Sequence, residues 1–111
     1  MIASPNDTVR LDIKDAVATI TINRPDSLNA INDDVVTALI DITGALRQSA
    51  DVRCVVLTGT GDHFMAGGDV KRFKKRFDEA QDDAETEAWF SLILGRIHIV
   101  VENMNALNIP V

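Results

Sequence analysis

"VRCVVLTGTGDHFMAGGDVKRF", residues 52–73, contains the pattern that decides the fold. Its first eight residues, 52–59, are apolar on both alternating faces, which is typical of a strand buried inside a parallel sheet. Two adjacent glycines, Gly67 and Gly68, come next, and a short helix is predicted from about Asp69. A tight turn needs only one glycine. The pair therefore indicates that the backbone comes close to another group, or adopts angles that other residues avoid.

Two strands and a helix are predicted before this stretch. Residues 8–14 alternate between apolar and polar side chains, and residues 16–22 are rich in β-branched residues. Lys14-Asp15 between them predicts a tight hairpin. Asn32 is a good N-cap for a helix that continues to about residue 49.

A long helix is predicted after it, over residues 84–107, and "NIPV" (108–111) indicates the start of one more strand. Because the chain stops two residues into that strand, we predict that it is part of a longer domain. The apolar stripe of the long helix is most simply explained as core; it consists of Trp89, Ile93, Ile97, Val100, Met104 and Leu107.

Together these elements predict an α/β fold in which residues 52–58 form the central strand. The helices at about 33–49 and 84–107 would flank that strand. Residues 8–111 form the folded part, and residues 1–7 are predicted to be a flexible terminus.

Composition and charge narrow the functional classes. The chain has 111 residues, which allows one domain or part of one, and its net charge of −6 argues against a nucleic-acid partner. The longest apolar run, residues 91–101, is interrupted by Arg96 and His98 and is too short to span a bilayer. We therefore predict a cytoplasmic protein without a membrane partner.

Several kinds of site can be tested against the glycine loop. Gly61 and Gly67 have the wrong spacing for a phosphate-binding P-loop, and Phe64 occupies the third position of a dinucleotide fingerprint. His63 and Asp69 do not form a metal-ligand cluster, so no metal site is predicted. Backbone N–H groups in "AGGD", ahead of a helix, would suit an oxyanion hole. The alternative is that the glycines only turn the chain and Asp69 only caps the helix.

The basic run "KRFKKR" (71–76) also has two interpretations. It is either the solvated face of a helix or the binding site of an anionic ligand.

Three blocks of the sequence resemble the enoyl-CoA hydratase/isomerase (crotonase) superfamily. They are "VATITINRPDSLNAIN" (17–32), the stretch quoted above, and the long helix that ends in "NIPV". The blocks have the order and separations of that family, and the resemblance extends from about Val9 to Val111. It implies the first half of a crotonase-like (ββα-type spiral) domain, with a covering helix, a buried strand and a long helix.

The resemblance also assigns roles to residues of the loop. Gly68 would donate its backbone N–H to the thioester carbonyl of an acyl-CoA, and the backbone at Ala66 would receive the adenine of CoA. Ser27, Leu28 and Ala30 match the segment that lines the CoA side of the pocket. The remaining residues placed beside this pocket are Gly67, Asp69, Val70 and Lys71.

One departure from the family pattern and two wall residues complete the implied site. Asp26 stands where family members often carry a lysine, and Lys71 and its basic neighbours would offset that loss. Trp89 and Phe73 are either walls of the acyl pocket or core residues. No cofactor is implied, because the CoA thioester is the substrate.

The second oxyanion donor and the acid/base glutamates of the family lie beyond residue 111. Hydration of an enoyl-CoA is the first expectation, with isomerisation or thioester hydrolysis as alternatives, and the resemblance implies a homotrimer or hexamer. Two other hypotheses stay open at this point. One is a non-catalytic interaction module that retains half of the fold, and the other is a non-specific anion-binding domain that uses residues 71–76.

Overall fold

A computed structural model describes residues 2–111 and confirms the α/β class. Residues 2–7 precede the first strand without regular structure, and Met1 of the predicted flexible terminus lies outside the described residues. The elements in chain order are β1 (Val9–Lys14), β2 (Val17–Ile22), a 3₁₀ turn (Pro25–Ser27), α1 (Asp33–Arg47), β3 (Cys54–Gly59), α2 (Val70–Glu79) and α3 (Asp83–Asn105).

The sheet has three strands in the order β1-β2-β3. β1 and β2 are antiparallel and form the predicted hairpin, while β2 and β3 are parallel and are connected through α1. The hairpin turn is centred on Asp15 and Ala16, one residue later than predicted, with φ angles of 53° and 66°. Positive φ at both central residues is the geometry that matches the twist of two antiparallel strands.

The prediction that residues 52–58 form the central strand, buried on both faces, is wrong for residues 2–111. β2 is central, and β3 lies at the edge of the sheet. Val55 is only 2% exposed because it faces α1, whereas Val56 on the opposite face is 43% exposed. The apolar sequence correctly indicated a strand, but apolarity on both faces requires two covering layers, and α1 supplies only one.

The outer edge of β3 has one further partner. The N–H of Val55 donates to the carbonyl of Pro110 at 2.9 Å. Residues 108–111, predicted to start a strand, contain no regular strand, yet this hydrogen bond places them beside β3.

The core lies between the sheet and α1. Ile20 of β2 and Val35 and Ile42 of α1 are fully buried there. α1 begins where predicted, because the Asn32 side chain accepts the Val35 N–H at 3.0 Å and so caps the first turn. The acidic first turn of α1 also suits the positive end of the helix dipole.

α3 packs on α1, and its Val100 belongs to the same hydrophobic core as Val55 of β3. Ile93 and Val100 of the predicted stripe are buried, and its other members are only partly buried. A polar link joins the two helices, since the buried Asn103 amide donates to Thr43 Oγ1 at 3.1 Å and accepts from Arg47 at 3.0 Å. Within residues 2–111, none of the helices is long and apolar enough to cross a membrane.

Replacing Asn32 by alanine removes the oxygen that accepts the Val35 N–H. We expect the free energy of unfolding to fall by about 1 kcal/mol, measured from urea denaturation. Asn32→Ser keeps a capping oxygen and is expected to retain nearly all of the wild-type stability. An equal loss in the two variants would contradict the capping role.

Candidate functional site

Each of the two neighbouring glycines has its own structural requirement. Gly67 has φ of +107°, a left-handed conformation that other residues rarely adopt. Gly68 is constrained differently, because a Cβ at that position would lie 2.6 Å from ring atoms Cε2 and Cζ of Phe73 and the ring would have to shift. One glycine therefore supplies a backbone angle, and the next supplies close approach to an aromatic ring.

The backbone of the loop is paired on both sides of Gly68. The N–H of Ile31 donates to the Gly67 carbonyl at 2.7 Å, and the N–H of Asp69 donates to the Ile31 carbonyl at 3.0 Å. The N–H of Ala66 donates to the Leu28 carbonyl at 3.1 Å. Gly68 is exposed, and no oxygen in residues 2–111 accepts its N–H. Within residues 2–111, the loop thus presents the unpaired N–H groups of Gly67 and Gly68 between the paired N–H groups of Ala66 and Asp69.

Asn29 connects the two segments that form this loop region. Its side chain is fully buried, accepts the Arg24 N–H at 2.8 Å, and donates to the carbonyls of Thr60 and His63 at 3.0 and 2.7 Å. Gly59 leaves room for it, since a Cβ there would lie 2.7 Å from Asn29 Nδ2 and would collide with the backbone carbonyl of Phe64. This amide fixes the separation of the two segments.

Asp69 caps α2 and also forms an ion pair. Oδ1 accepts the Arg72 N–H at 3.1 Å, and Oδ2 lies 3.1 Å from the Arg24 guanidinium, with the two side chains only 15% and 18% exposed. Burial pushes the pKa of Asp69 upward. Hydrogen bonds from the Arg72 N–H and from Arg24, together with the Arg24 charge, outweigh burial, so that the pKa lies below its ordinary value. The structural role anticipated for Asp69, capping the helix, is therefore present.

A cleft of about 670 Å³ opens beside this loop, a size within the range of ligand sites. The structure brings eight of the nine predicted site residues to its walls: Ser27, Leu28, Ala30, Ala66, Gly68, Asp69, Val70 and Lys71. Gly67 does not line the cleft, but its carbonyl pairs with Ile31 and so holds the wall in place. Asp26, Arg24, Arg72 and Lys75 complete the lining, so the cleft is basic on the α2 side.

Sequence analysis missed the residues that hold this site together. Arg24 donates to the Ala30 carbonyl at 2.6 Å as well as pairing with Asp69, and Asn29 makes the contacts described above. Both belong to the "NRPDSLNA" block (23–30), which served only to carry the resemblance. The signal available in the sequence was the pair of polar residues, Arg24 and Asn29, on either side of the turn that begins at Pro25.

Phe73 and Trp89 belong to neither the core nor the lining of this cleft. They form a partly buried aromatic cluster with Phe77 and Phe90, in which the Phe73 and Trp89 ring centroids are 5.6 Å apart. None of the residues of α2 is buried. The core interpretation of Phe73 and Trp89 is therefore wrong, since both are only partly buried.

Comparison with known proteins decides the family. The family model for enoyl-CoA hydratase/isomerase matches residues 12–107, which is most of the chain. The chain belongs to the enoyl-CoA hydratase/isomerase family. The resemblance drawn from the sequence motifs is thereby confirmed.

Family members of known structure share the fold. The crystal structure of an enoyl-CoA hydratase/isomerase from Mycobacterium paratuberculosis is 31% identical, with a TM-score of 0.76 over 95% of this chain and 39% of that one. The short-chain-enoyl-CoA hydratase of Clostridium acetobutylicum is 37% identical over 70 residues, which are 62% of this chain and 27% of that protein.

One relative has a different role. The small ribosomal subunit protein mS47 of Schizosaccharomyces pombe is 38% identical over 68 residues, covering 61% of this chain and 16% of that protein. In these comparisons the chain spans between about a sixth and two fifths of the length of its relatives.

Replacing Asp69 by asparagine tests the ion pair without removing the cap, because asparagine is also a good N-cap. Ionised Asp69 is favoured in the folded state, so its stabilisation is fully present above the unfolded-state pKa, about 3.9. It is lost as the pH falls through the lower folded-state pKa. Asp69→Asn should therefore be less stable than wild type at about pH 6, and the difference in urea midpoint should shrink toward about pH 3.

Asp26→Asn is the matched control, because it removes one exposed carboxyl at the same cleft. A stability difference for Asp69→Asn that does not change between the two pH values would contradict the assigned ion pair.

Proposed function

We propose that the full-length protein acts on acyl-CoA thioesters and that Gly68 supplies one N–H of its oxyanion hole. The observation that carries the proposal is the Gly68 N–H, which is free in residues 2–111 and is exposed at the wall of a ligand-sized cleft. Family membership supports the thioester as the substrate.

The proposed chemistry needs a donor that does not move. As the reaction proceeds, negative charge develops on the thioester oxygen, and a donor fixed in advance stabilises it without reorganisation. The hydrogen bonds of Ile31 to Gly67 and Asp69 hold the peptide on each side of Gly68. The start of α2 lies directly behind, and its positive dipole end favours negative charge nearby.

The CoA moiety would occupy the remaining walls of the cleft. The Ala66 N–H donates to the Leu28 carbonyl. The Ala66 carbonyl would therefore be the group that binds adenine, as acceptor for its amino group. Lys71 and Lys75 extend from α2 at the same cleft and suit the phosphates. Asp26 is unfavourable for phosphates, so we expect the α2 lysines to take the place of the lysine that family members often carry there.

Hydration of an enoyl-CoA is the reaction we favour, with isomerisation or thioester hydrolysis as alternatives within the same family. The second oxyanion donor and the acid/base residues would come from sequence beyond residue 111. Four glutamates lie within the described residues: Glu79, Glu85, Glu87 and Glu102. All four are exposed on helices, none lines the cleft, and we assign catalysis to none of them. A trimer or hexamer stays a prediction.

A non-catalytic interaction module is the second candidate. The observation that favours it is the similarity to a ribosomal protein, which shows that this part of the fold also occurs in a protein named for a structural assembly. An absence of turnover by the full-length protein on enoyl-CoA substrates, with retained folding, would favour this candidate.

A test of Gly68 must separate the effect of losing its N–H from the effect of a steric clash with the Phe73 ring. Gly68→Ala alone would place a Cβ 2.6 Å from the Phe73 ring, so a loss of activity in that variant would not report on the N–H alone. Phe73→Leu removes the two ring atoms in question. We therefore compare Gly68→Ala/Phe73→Leu, which keeps the N–H, with Gly68→Pro/Phe73→Leu, which lacks it.

We expect the proline variant to show a kcat/KM for an enoyl-CoA about 10²- to 10³-fold below that of the alanine variant, because one oxyanion donor is lost. Turnover is followed by the absorbance of the conjugated thioester, and circular dichroism controls for folding. Two folded variants with the same kcat/KM would return the loop to a purely structural role.

A further inference from the structure

A second cleft adjoins the first at Arg72 and lies between α2, α3 and the start of α1. It has a volume of about 250 Å³ and carries three arginines, Arg72, Arg76 and Arg96. Trp89 and Ile93 form its apolar wall, and Asp33 is its one acidic residue. Its lining therefore has a formal charge of +2, from three arginines and one aspartate, in a chain whose net charge is −6.

Two of the three arginines lack an acidic partner within residues 2–111. The Arg72 guanidinium lies 3.5 Å from the Asp33 carboxylate. Arg96 donates to the hydroxyl of Thr37 at 2.6 Å, and Arg76 lies over the Trp89 ring at 5.6 Å from its centroid. No carboxylate in the described chain comes within 4.0 Å of Arg76 or Arg96. Two half-buried guanidinium groups that face one cleft without a counter-charge are suited to an anionic ligand.

The aromatic cluster connects this cleft to Gly68. The Phe73 ring lies against Gly68 on one side and meets Trp89 edge-on at 5.6 Å on the other. Arg72 and Arg76 are one helical turn apart, about 6 Å along α2. An acyl chain whose thioester oxygen is bound by the Gly68 N–H and which extends past Phe73 would reach Trp89 first and then the guanidinium groups.

We propose that the acyl group of the substrate carries a carboxylate at its far end, which Arg76 and Arg96 bind while Trp89 packs against the chain. This inference rests on the proposed function, whose substrate class it makes narrower. A guanidinium matches a carboxylate with parallel hydrogen bonds, and Arg76 and Arg96 line the same cleft of about 250 Å³. A neutral acyl chain would leave the two charges uncompensated.

The test compares suberyl-CoA with octanoyl-CoA, two thioesters of equal length of which only the first ends in a carboxylate. Affinity for the full-length protein is measured by isothermal titration calorimetry. Absorbance difference spectra on ligand binding are then recorded for the wild type and for Trp89→Phe. A tryptophan signal that is present only in the wild type reports contact of the ligand with the cleft. We expect suberyl-CoA to bind about 10- to 100-fold more tightly, the range of one charge-assisted hydrogen-bonded contact. Because neither compound is an enoyl thioester, binding is read without hydration or double-bond isomerisation, and the release of free CoA thiol is monitored to detect hydrolysis.

Two variants then test which residues cause the preference for suberyl-CoA. Arg76→Gln and, separately, Arg96→Gln should reduce the affinity for suberyl-CoA about tenfold while leaving octanoyl-CoA affinity unchanged. Lys74→Gln removes the same charge from α2 at a side chain that is 76% exposed and paired with Asp78, so it should change neither affinity.

Three outcomes would overturn the inference. Equal affinity of the wild type for the two thioesters would show that the cleft does not select a carboxylate, while the proposed function would stand. If Arg76→Gln lost the same factor of affinity for both thioesters, the arginine would bind the CoA moiety instead. Failure of the wild type to bind either thioester would reject the proposed function, and the inference with it.

Discussion

The buried amide of Asn29 is the interaction on which the rest of the site depends. It accepts the Arg24 N–H and donates to the carbonyls of Thr60 and His63, so a single side chain satisfies three backbone groups from two distant segments. Leaving a buried polar group unpaired costs about 1–3 kcal/mol, which is why such an amide is rarely replaceable. Together with the backbone bonds of Ile31 and Ala66, it holds the two segments that form the parallel bridge between Ile31 and Gly68.

Arg24 and Asp69 extend the same constraint into α2. Asp69 fixes the first turn of the helix, and its ion pair with Arg24 ties that turn to the segment that Asn29 already holds. The peptide of Gly68, directly before this cap, is held by the hydrogen bonds that Ile31 makes with the Gly67 carbonyl and the Asp69 N–H. The proposed oxyanion donor is a main-chain group, so its preorganisation would come from these backbone bonds rather than from a buried side chain.

The sequence predicted the elements of this fold better than it predicted their layers. Periodicity located β1, β2 and α1 closely, because apolar spacing and an N-cap at Asn32 are local signals. It could not place β3 at the edge of the sheet, since the number of covering layers is a property of the whole assembly. The same limit applies to the site. Glycine spacing and family motifs indicated Gly68, whereas the contacts of Arg24 with Asp69 and of Asn29 with Thr60 and His63 span more than thirty residues. A local pattern does not reveal contacts at that separation.

α2 explains why the apolar residues near the loop do not form core. Its ten residues include none that is buried, yet each of its sides faces a different partner. Lys71 and Lys75 line the larger cleft, Arg76 lines the smaller one, and Phe73 packs on Trp89. A helix that forms a wall shared by two clefts cannot be buried on any one side, so a core pattern is not expected of it. Its basic and aromatic residues face both clefts, which adjoin at Arg72, and Gly68 before it lines the larger one.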